Sequence, residues 1–101
     1  LALLHWFRDH VIQDPALIED YRIAPQRNPD LAGQPPAIVI TATDPLRDEG
    51  LEYAEKLRAA GSTVTSLDYP ELVHGFISMG GVIPAARKAL NDICDATAKQ
   101  L

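Results

Sequence analysis

The apolar positions near both ends of the chain recur at helical spacing. At the start, steps of three and four residues predict a helix over residues 1–12, with an apolar face formed by Leu3, Leu4, Phe7 and Val11. Asp14-Pro15 ends this helix, because the residue before a proline is pushed out of the helical region. Pro84 suits the first position of a last helix that runs to Leu101. One face of it is predicted to carry Ala86, Leu90, Ile93, Cys94 and Thr97. We expect Cys94 to be a small buried side chain.

The middle of the chain shows a strand, helix, strand pattern. Residues 37–42 are almost wholly apolar and β-branched, which is typical of a strand covered on both faces in a parallel sheet. A helix follows from Asp48, interpreted as its N-cap, to Gly61, interpreted as its left-handed C-terminal cap. Residues 63–69 predict a second strand, at an edge of the sheet. Because such a helix returns the chain to the start of a parallel neighbour, the sequence predicts an α/β fold built on two parallel strands with flanking helices.

Proline interrupts the chain between the first helix and the first strand. Five prolines lie within residues 13–36, and the apolar residues there show little periodicity. This stretch is therefore predicted to be an ordered loop with one helical turn near residues 16–20.

Composition restricts the classes of function. The chain has 101 residues, room for one small domain, and a net charge of −5 without a basic cluster, which argues against binding to nucleic acid. A single cysteine excludes an internal disulfide. No apolar run approaches the roughly 18 residues of a membrane span. Without export features, the cytoplasm is the expected compartment.

Two polar side chains follow the two predicted strands. Asp44 comes directly after the first strand, and His74 follows the second strand, beside Gly75. The carboxyl ends of neighbouring parallel strands lie at one edge of a sheet, where ligands bind in open α/β folds. A carboxylate there can accept the Nδ1–H of an imidazole and leave Nε2 as a general base. Acid before histidine is the order of these two residues in α/β-hydrolases.

The surrounding residues resemble a known family. The block Asp44-Pro45-Leu46-Arg47-Asp48-Glu49-Gly50 and the block Val73-His74-Gly75-Phe76 are similar to the acid and histidine blocks of the bacterial hormone-sensitive-lipase-like esterases. The resemblance implies an α/β-hydrolase fold and a serine carboxylesterase or lipase-like hydrolase that cleaves small acyl esters, with no metal or cofactor. It assigns Asp44 as the triad acid and His74 as the triad base. Thr43 alone separates Ala42 from Asp44, whereas many members have one more residue there.

The resemblance also suggests roles for aromatic residues and for one surface. Phe76, next to the histidine, is a candidate for substrate binding and equally for the core, whereas Trp6 and Phe7 are expected in the core rather than in the pocket. A homodimer surface would be formed by residues 63–69 and 84–101.

The family motifs for the nucleophile and the oxyanion hole are missing. The sequence has neither Gly-x-Ser-x-Gly nor His-Gly-Gly-Gly, and Ser62, Ser66 and Ser78 lack the strand-to-helix turn that a nucleophile needs. In the family both motifs precede the acid. Residues 1–101 are therefore interpreted as the C-terminal segment of one α/β-hydrolase domain, inactive by itself. Two alternatives stay open: a different α/β-hydrolase such as a serine peptidase, and a non-catalytic remnant or interaction module.

Overall fold

A computed structural model of the chain describes residues 2–101, which fall into two compact units that meet in sequence between Leu31 and Ala32. The first unit begins with helix α1 (Ala2–Val11), so the predicted helix is confirmed, with Leu1 outside the described residues. A short 3-10 helix, Pro15–Glu19, confirms the predicted helical turn. It begins where Asp14 Oδ1 accepts the N–H of Ala16 at 3.0 Å. A second 3-10 helix spans Pro25–Arg27.

The apolar face of α1 is not covered within this unit. No residue of α1 is buried, and Trp6 and Phe7 keep 54% and 53% of their surface exposed. Their rings meet edge to face, with centroids 5.2 Å apart. The prediction that both residues belong to a core is therefore wrong for the described chain. The helical period of α1 was correct, but period alone does not supply the surface on which a helix packs.

The second unit contains the predicted strand, helix, strand sequence. Strand β1 spans Ala37–Thr43, helix α2 spans Arg47–Ala59 and strand β2 spans Val64–Val73. The two strands pair in parallel, as predicted. Gly61 has a φ of 96°, and the N–H of Ser62 donates to the carbonyl of Leu57, so the predicted left-handed cap of α2 is confirmed.

The two faces of β1 pack against different helices. Thr41 is buried beneath α2, where Gly50 lies against its methyl group. Ala42, the next residue, points the other way into a core shared with the last helix, α3 (Pro84–Gln100). The buried members of that core are Ala42, Leu72, Phe76, Ala86 and Ala89. Coverage on both sides explains why β1 is apolar along nearly its whole length.

Two local predictions were wrong. The cap residue of α2 is Leu46, and Asp48 lies in the first turn with its side chain 96% exposed, so Asp48 is not the N-cap. Cys94 is exposed rather than buried. The inner face of α3 contains Ala86 and Ile93, as predicted, but Ala89 rather than Leu90 is the buried residue between them. Small alanines at these positions let α3 approach the sheet closely, a signal that a search for large apolar residues overlooks.

Candidate active site

Asp44 is held by the turn that joins β1 to α2. Its Oδ1 accepts the N–H of Leu46 at 2.7 Å, and its carbonyl accepts the N–H of Arg47 at 3.2 Å. An aspartate that binds the backbone two residues ahead is a common way to fix such a turn. Only 13% of the Asp44 side chain remains exposed. The turn therefore leaves the second carboxylate oxygen, Oδ2, for another partner.

His74 follows β2 directly and precedes a sharp change of chain direction. Gly75 adopts a left-handed φ of 80°, which glycine allows without steric cost, and a 3-10 helix then spans Phe76–Met79. The imidazole is 74% exposed. This position places the ring at the surface of the unit, directly beyond the end of the strand.

An irregularity in β2 brings the two residues together. Paired positions are 27 residues apart from Ala37↔Val64 to Ala42↔Tyr69, but 30 residues apart at Thr43↔Val73. Three residues of β2, Pro70 to Leu72, are thus inserted opposite a single step of β1. Pro70 has no N–H to give to a ladder, and its carbonyl instead accepts the hydroxyl of Thr43. Without this insertion, the position opposite Asp44 would be Glu71. With it, His74 takes that position.

The resulting contact joins His74 Nδ1 to Asp44 Oδ2 at 2.8 Å. The hydrogen bond with His74 is the main cause that lowers the pKa of Asp44 from its ordinary value, with the Leu46 N–H in support and burial in opposition. Asp44 is therefore ionised at neutral pH and acts as an acceptor. An ionised partner fixes the proton of a neutral imidazole on Nδ1, and Nε2 then has the lone pair that can take a proton. The single residue between Ala42 and Asp44 does not prevent this contact.

An open cleft of about 250 Å³ lies beside the pair. One wall is the carboxyl end of β1, and the other is the segment that begins with His74. The lining is mainly apolar: Ile40, Ala42, Gly75, Phe76 and Ile77 beside Thr41 and the pair itself. Phe76 is only 3% exposed and packs in the core at 5.4 Å from the Tyr69 ring, so it contributes to the floor of the cleft. A larger cleft of about 400 Å³ at the start of α3 contains neither Asp44 nor His74.

Each of the three serine hydroxyls has a hydrogen-bond partner other than His74. Ser62 donates to the carbonyl of Gln34, Ser66 accepts from Arg58, and Ser78 donates to the carbonyl of Gly75. Among residues 2–101, no helix combines the length and the apolar character needed to cross a bilayer. No three His, Cys, Asp or Glu side chains in the same range come together as a possible metal site.

Sequence reasoning missed a polar cluster behind the site. Arg47 forms an ion pair with Asp68, and Asp68 also accepts the hydroxyl of Thr41 at 2.7 Å. A signal was present, because Thr41 is a polar residue in a strand that is covered on both faces. The partner of such a pair belongs to a different element, so spacing along the chain does not reveal it.

Two parallel strands joined through a helix, with an acid after one strand and a histidine after the next, match the arrangement at the active-site end of an α/β-hydrolase sheet. A model of the alpha/beta hydrolase fold family matches residues 1–78. The chain is 47% identical over 70 residues to the esterase LipI of Mycobacterium tuberculosis, which covers 68% of this chain and 22% of that protein. It is 32% identical over 99 residues to an ethyl acetate hydrolase of Pseudomonas putida, which covers 97% of this chain and 31% of that protein.

A solved structure agrees with these relatives. A thermostable carboxylesterase cloned from a metagenomic library superposes with a TM-score of 0.87 at 40% identity, over 95% of this chain and 32% of that one. The chain belongs to the hormone-sensitive-lipase-like esterase family of α/β-hydrolases. It spans about a fifth to a third of the length of these relatives.

Proposed function

We propose that this chain supplies the acid, Asp44, and the base, His74, of a Ser-His-Asp triad in a serine carboxylesterase. The observation that supports this most directly is the 2.8 Å contact between His74 Nδ1 and Asp44 Oδ2 at the carboxyl ends of two parallel strands. The names of the relatives, which include an esterase, carboxylesterases and an ethyl acetate hydrolase, agree with it.

In this mechanism a serine hydroxyl attacks the ester carbonyl while His74 Nε2 takes the hydroxyl proton. The tetrahedral intermediate then collapses, the bond to the leaving alcohol breaks, and His74 gives its proton to that alcohol. Water repeats the two steps on the acyl-enzyme and releases the acid. Asp44 remains ionised throughout and stabilises the imidazolium, as its lowered pKa allows.

The substrate class is small, uncharged acyl esters. A cleft of about 250 Å³ with a largely apolar lining suits short hydrocarbon groups better than charged ones. We assign Phe76 to the floor of this cleft, where its ring would contact substrate from below. Ile77, 49% exposed, forms part of the rim.

The serine and the oxyanion-hole amides must come from outside these 101 residues, because the sequence contains neither motif. We therefore propose that residues 1–101 are the C-terminal segment of a single α/β-hydrolase domain, and that the segment alone does not hydrolyse esters. The decisive experiment is to sequence the DNA upstream of the codon for Leu1. An open frame that encodes Gly-x-Ser-x-Gly supports the proposal, whereas a start codon at that point supports a non-catalytic module.

A direct assay separates esterase from peptidase. The natural protein that contains this sequence, called here the parent protein, should hydrolyse short-chain nitrophenyl esters and leave matched peptide amides intact. Preference for the amides would assign it to the serine peptidases. Failure on both substrates, with the serine motif absent from the parent protein, would favour the interaction module.

The isolated chain is expected to self-associate. In the described residues β1 pairs only with β2, so one edge of β1 presents unpaired backbone groups, and the apolar face of α1 is exposed. Light scattering should show concentration-dependent association. A sharp, reversible thermal transition that is independent of concentration would contradict this.

The parent protein is proposed to form a homodimer through residues 63–69 and 84–101, as the family resemblance implies. A monomeric mass in solution would contradict it. The cytoplasm is the proposed compartment, to be checked by cell fractionation.

A further inference from the structure

We propose that Arg47 and Asp68 are positioning residues that hold the Asp44 carboxylate in working orientation against His74, a role that rests on the function proposed above. Arg47 Nε donates to Asp68 Oδ1 at 2.9 Å, and Nη2 donates to Oδ2. This two-pronged geometry fixes both the distance and the plane of the pair, which a single point charge cannot do. Both side chains are largely shielded, with 32% and 28% exposed.

The ion pair controls the turn that presents Asp44. Arg47 is the first residue of α2, and its N–H closes the turn on the carbonyl of Asp44. The turn therefore begins at the end of β1, and its last residue, Arg47, is linked to β2 through the guanidinium. Since β2 leads directly to His74, one contact sets the position of the acid relative to the strand that carries the base.

Asp68 is itself held in place. It lies opposite Thr41 in the strand register and accepts the Thr41 hydroxyl at 2.7 Å. Close packing supports this arrangement, because a Cβ added at Gly50 would lie 2.8 Å from the Thr41 methyl carbon. Helix α2 thus rests on β1 at the turn of helix that follows Arg47.

The other end of the same helix provides a natural contrast. Arg58 also reaches from α2 to β2, where Nη2 donates to the carbonyl of Val64 and to Ser66 Oγ, both at 3.3 Å. It is the same residue type on the same two elements, but it lies at the amino end of the strands and makes no contact with the turn that holds Asp44. Replacement of Arg58 therefore reports what loss of a helix-to-strand contact does when the turn is intact.

The test uses the parent protein and short-chain nitrophenyl esters, with Asp44→Ala and His74→Ala as references and Arg58→Met as the matched control. Misplacement of a catalytic group by an ångström lowers kcat by about 100-fold. Arg47→Met should therefore lower kcat by about that factor with KM within about twofold, because Arg47 itself does not line the cleft. Arg47→Lys, which keeps the charge without the fork, should recover part of the loss. Arg58→Met should leave kcat unchanged.

A spectroscopic readout follows the geometry itself. The proton between His74 Nδ1 and Asp44 should give a low-field NMR signal in the parent protein, and in Arg47→Met this signal should weaken through exchange with water. If Arg47→Met fails to fold, Asp68→Asn, which keeps shape and the acceptor for Thr41, takes its place in every measurement.

The outcomes separate the two proposals. Full activity in Asp44→Ala or His74→Ala would overturn the proposed function. Loss of activity in those variants, with wild-type kcat and an unchanged proton signal in Arg47→Met, would overturn only the positioning role. Equal losses of kcat in Arg47→Met and Arg58→Met would also overturn it, because the effect would then be one of stability alone.

Discussion

The two ends of the strand pair differ in construction although the same three elements form both. At the amino end, Ala37 and Val64 begin a regular ladder, the N–H of Ala37 donates to the carbonyl of Thr63, and Gly61 closes the preceding helix. At the carboxyl end, the ladder is interrupted and β2 gains three residues. A regular ladder repeats one geometry, so it cannot redirect a chosen side chain. An irregularity can, and here it places a histidine opposite an aspartate that would otherwise face Glu71.

The largest expected effect is on kcat, which should depend on residues at the carboxyl end of the strand pair and not on residues in its regular part. In the parent protein, Asp44→Asn keeps the shape of the side chain but removes the charge that fixes the imidazole tautomer, and kcat should fall by about 10⁴-fold. His74→Ala should lose at least as much. Ser66→Ala, an exposed substitution in the regular part of β2, is the control and should keep wild-type kcat. A fall of less than tenfold in Asp44→Asn would mean that this carboxylate does not serve the histidine.

A second effect concerns packing near the irregular end. Gly50→Ala would bring a methyl group to 2.8 Å from Thr41 Cγ2, in a buried contact between α2 and β1. Such overpacking lowers the free energy of unfolding by about 1–3 kcal/mol. Thr41→Ser removes the obstructing methyl group and keeps the hydroxyl for Asp68, so the double variant should recover much of the loss. Denaturant unfolding of all four proteins gives the coupling, and additive losses would show that the two residues do not press on each other.

A matched pair of glycines, one at each end of the strand pair, tests whether both ends contribute to stability while only the carboxyl end contributes to kcat. Gly61 and Gly75 both have a positive φ, and an added Cβ meets no atom within 4 Å at either site. Alanine at each position should therefore destabilise the protein through backbone conformation alone, by about 1 kcal/mol. Only Gly75→Ala should also lower kcat, because Gly75 adjoins His74. Equal kcat in the two variants would mean that the site tolerates a change of chain direction beside the histidine.

The contrast between the ends also explains what the sequence could predict. Regular features depend on period and on single residues, so β1, α2, its Gly61 cap and the Pro84 start of α3 could be derived from spacing. The Asp44–His74 contact could be anticipated from strand order, but the three-residue insertion that produces it could not. In the sequence, Pro70 to Leu72 indicate only that a strand ends there. Arg47 and Asp68 meet through space across 21 positions, and the acid block that contains Arg47 does not indicate Asp68 as its partner.

The smallest expected effect is the pH dependence of stability, which we expect to arise from the carboxyl end of the strand pair. Contact with His74 lowers the pKa of Asp44, and contact with Arg47, aided by Thr41, lowers that of Asp68. Both carboxyls take up protons more readily when unfolded, so their stabilisation is fully present well above the ordinary aspartate pKa of 3.8 and is lost as pH falls below it. Asp44→Asn and Asp68→Asn should each flatten the acid limb of a plot of unfolding free energy against pH. If both variants keep the wild-type slope as pH falls below 3.8, the two contacts contribute nothing to acid sensitivity, and the carboxyl end differs from the amino end in chemistry alone.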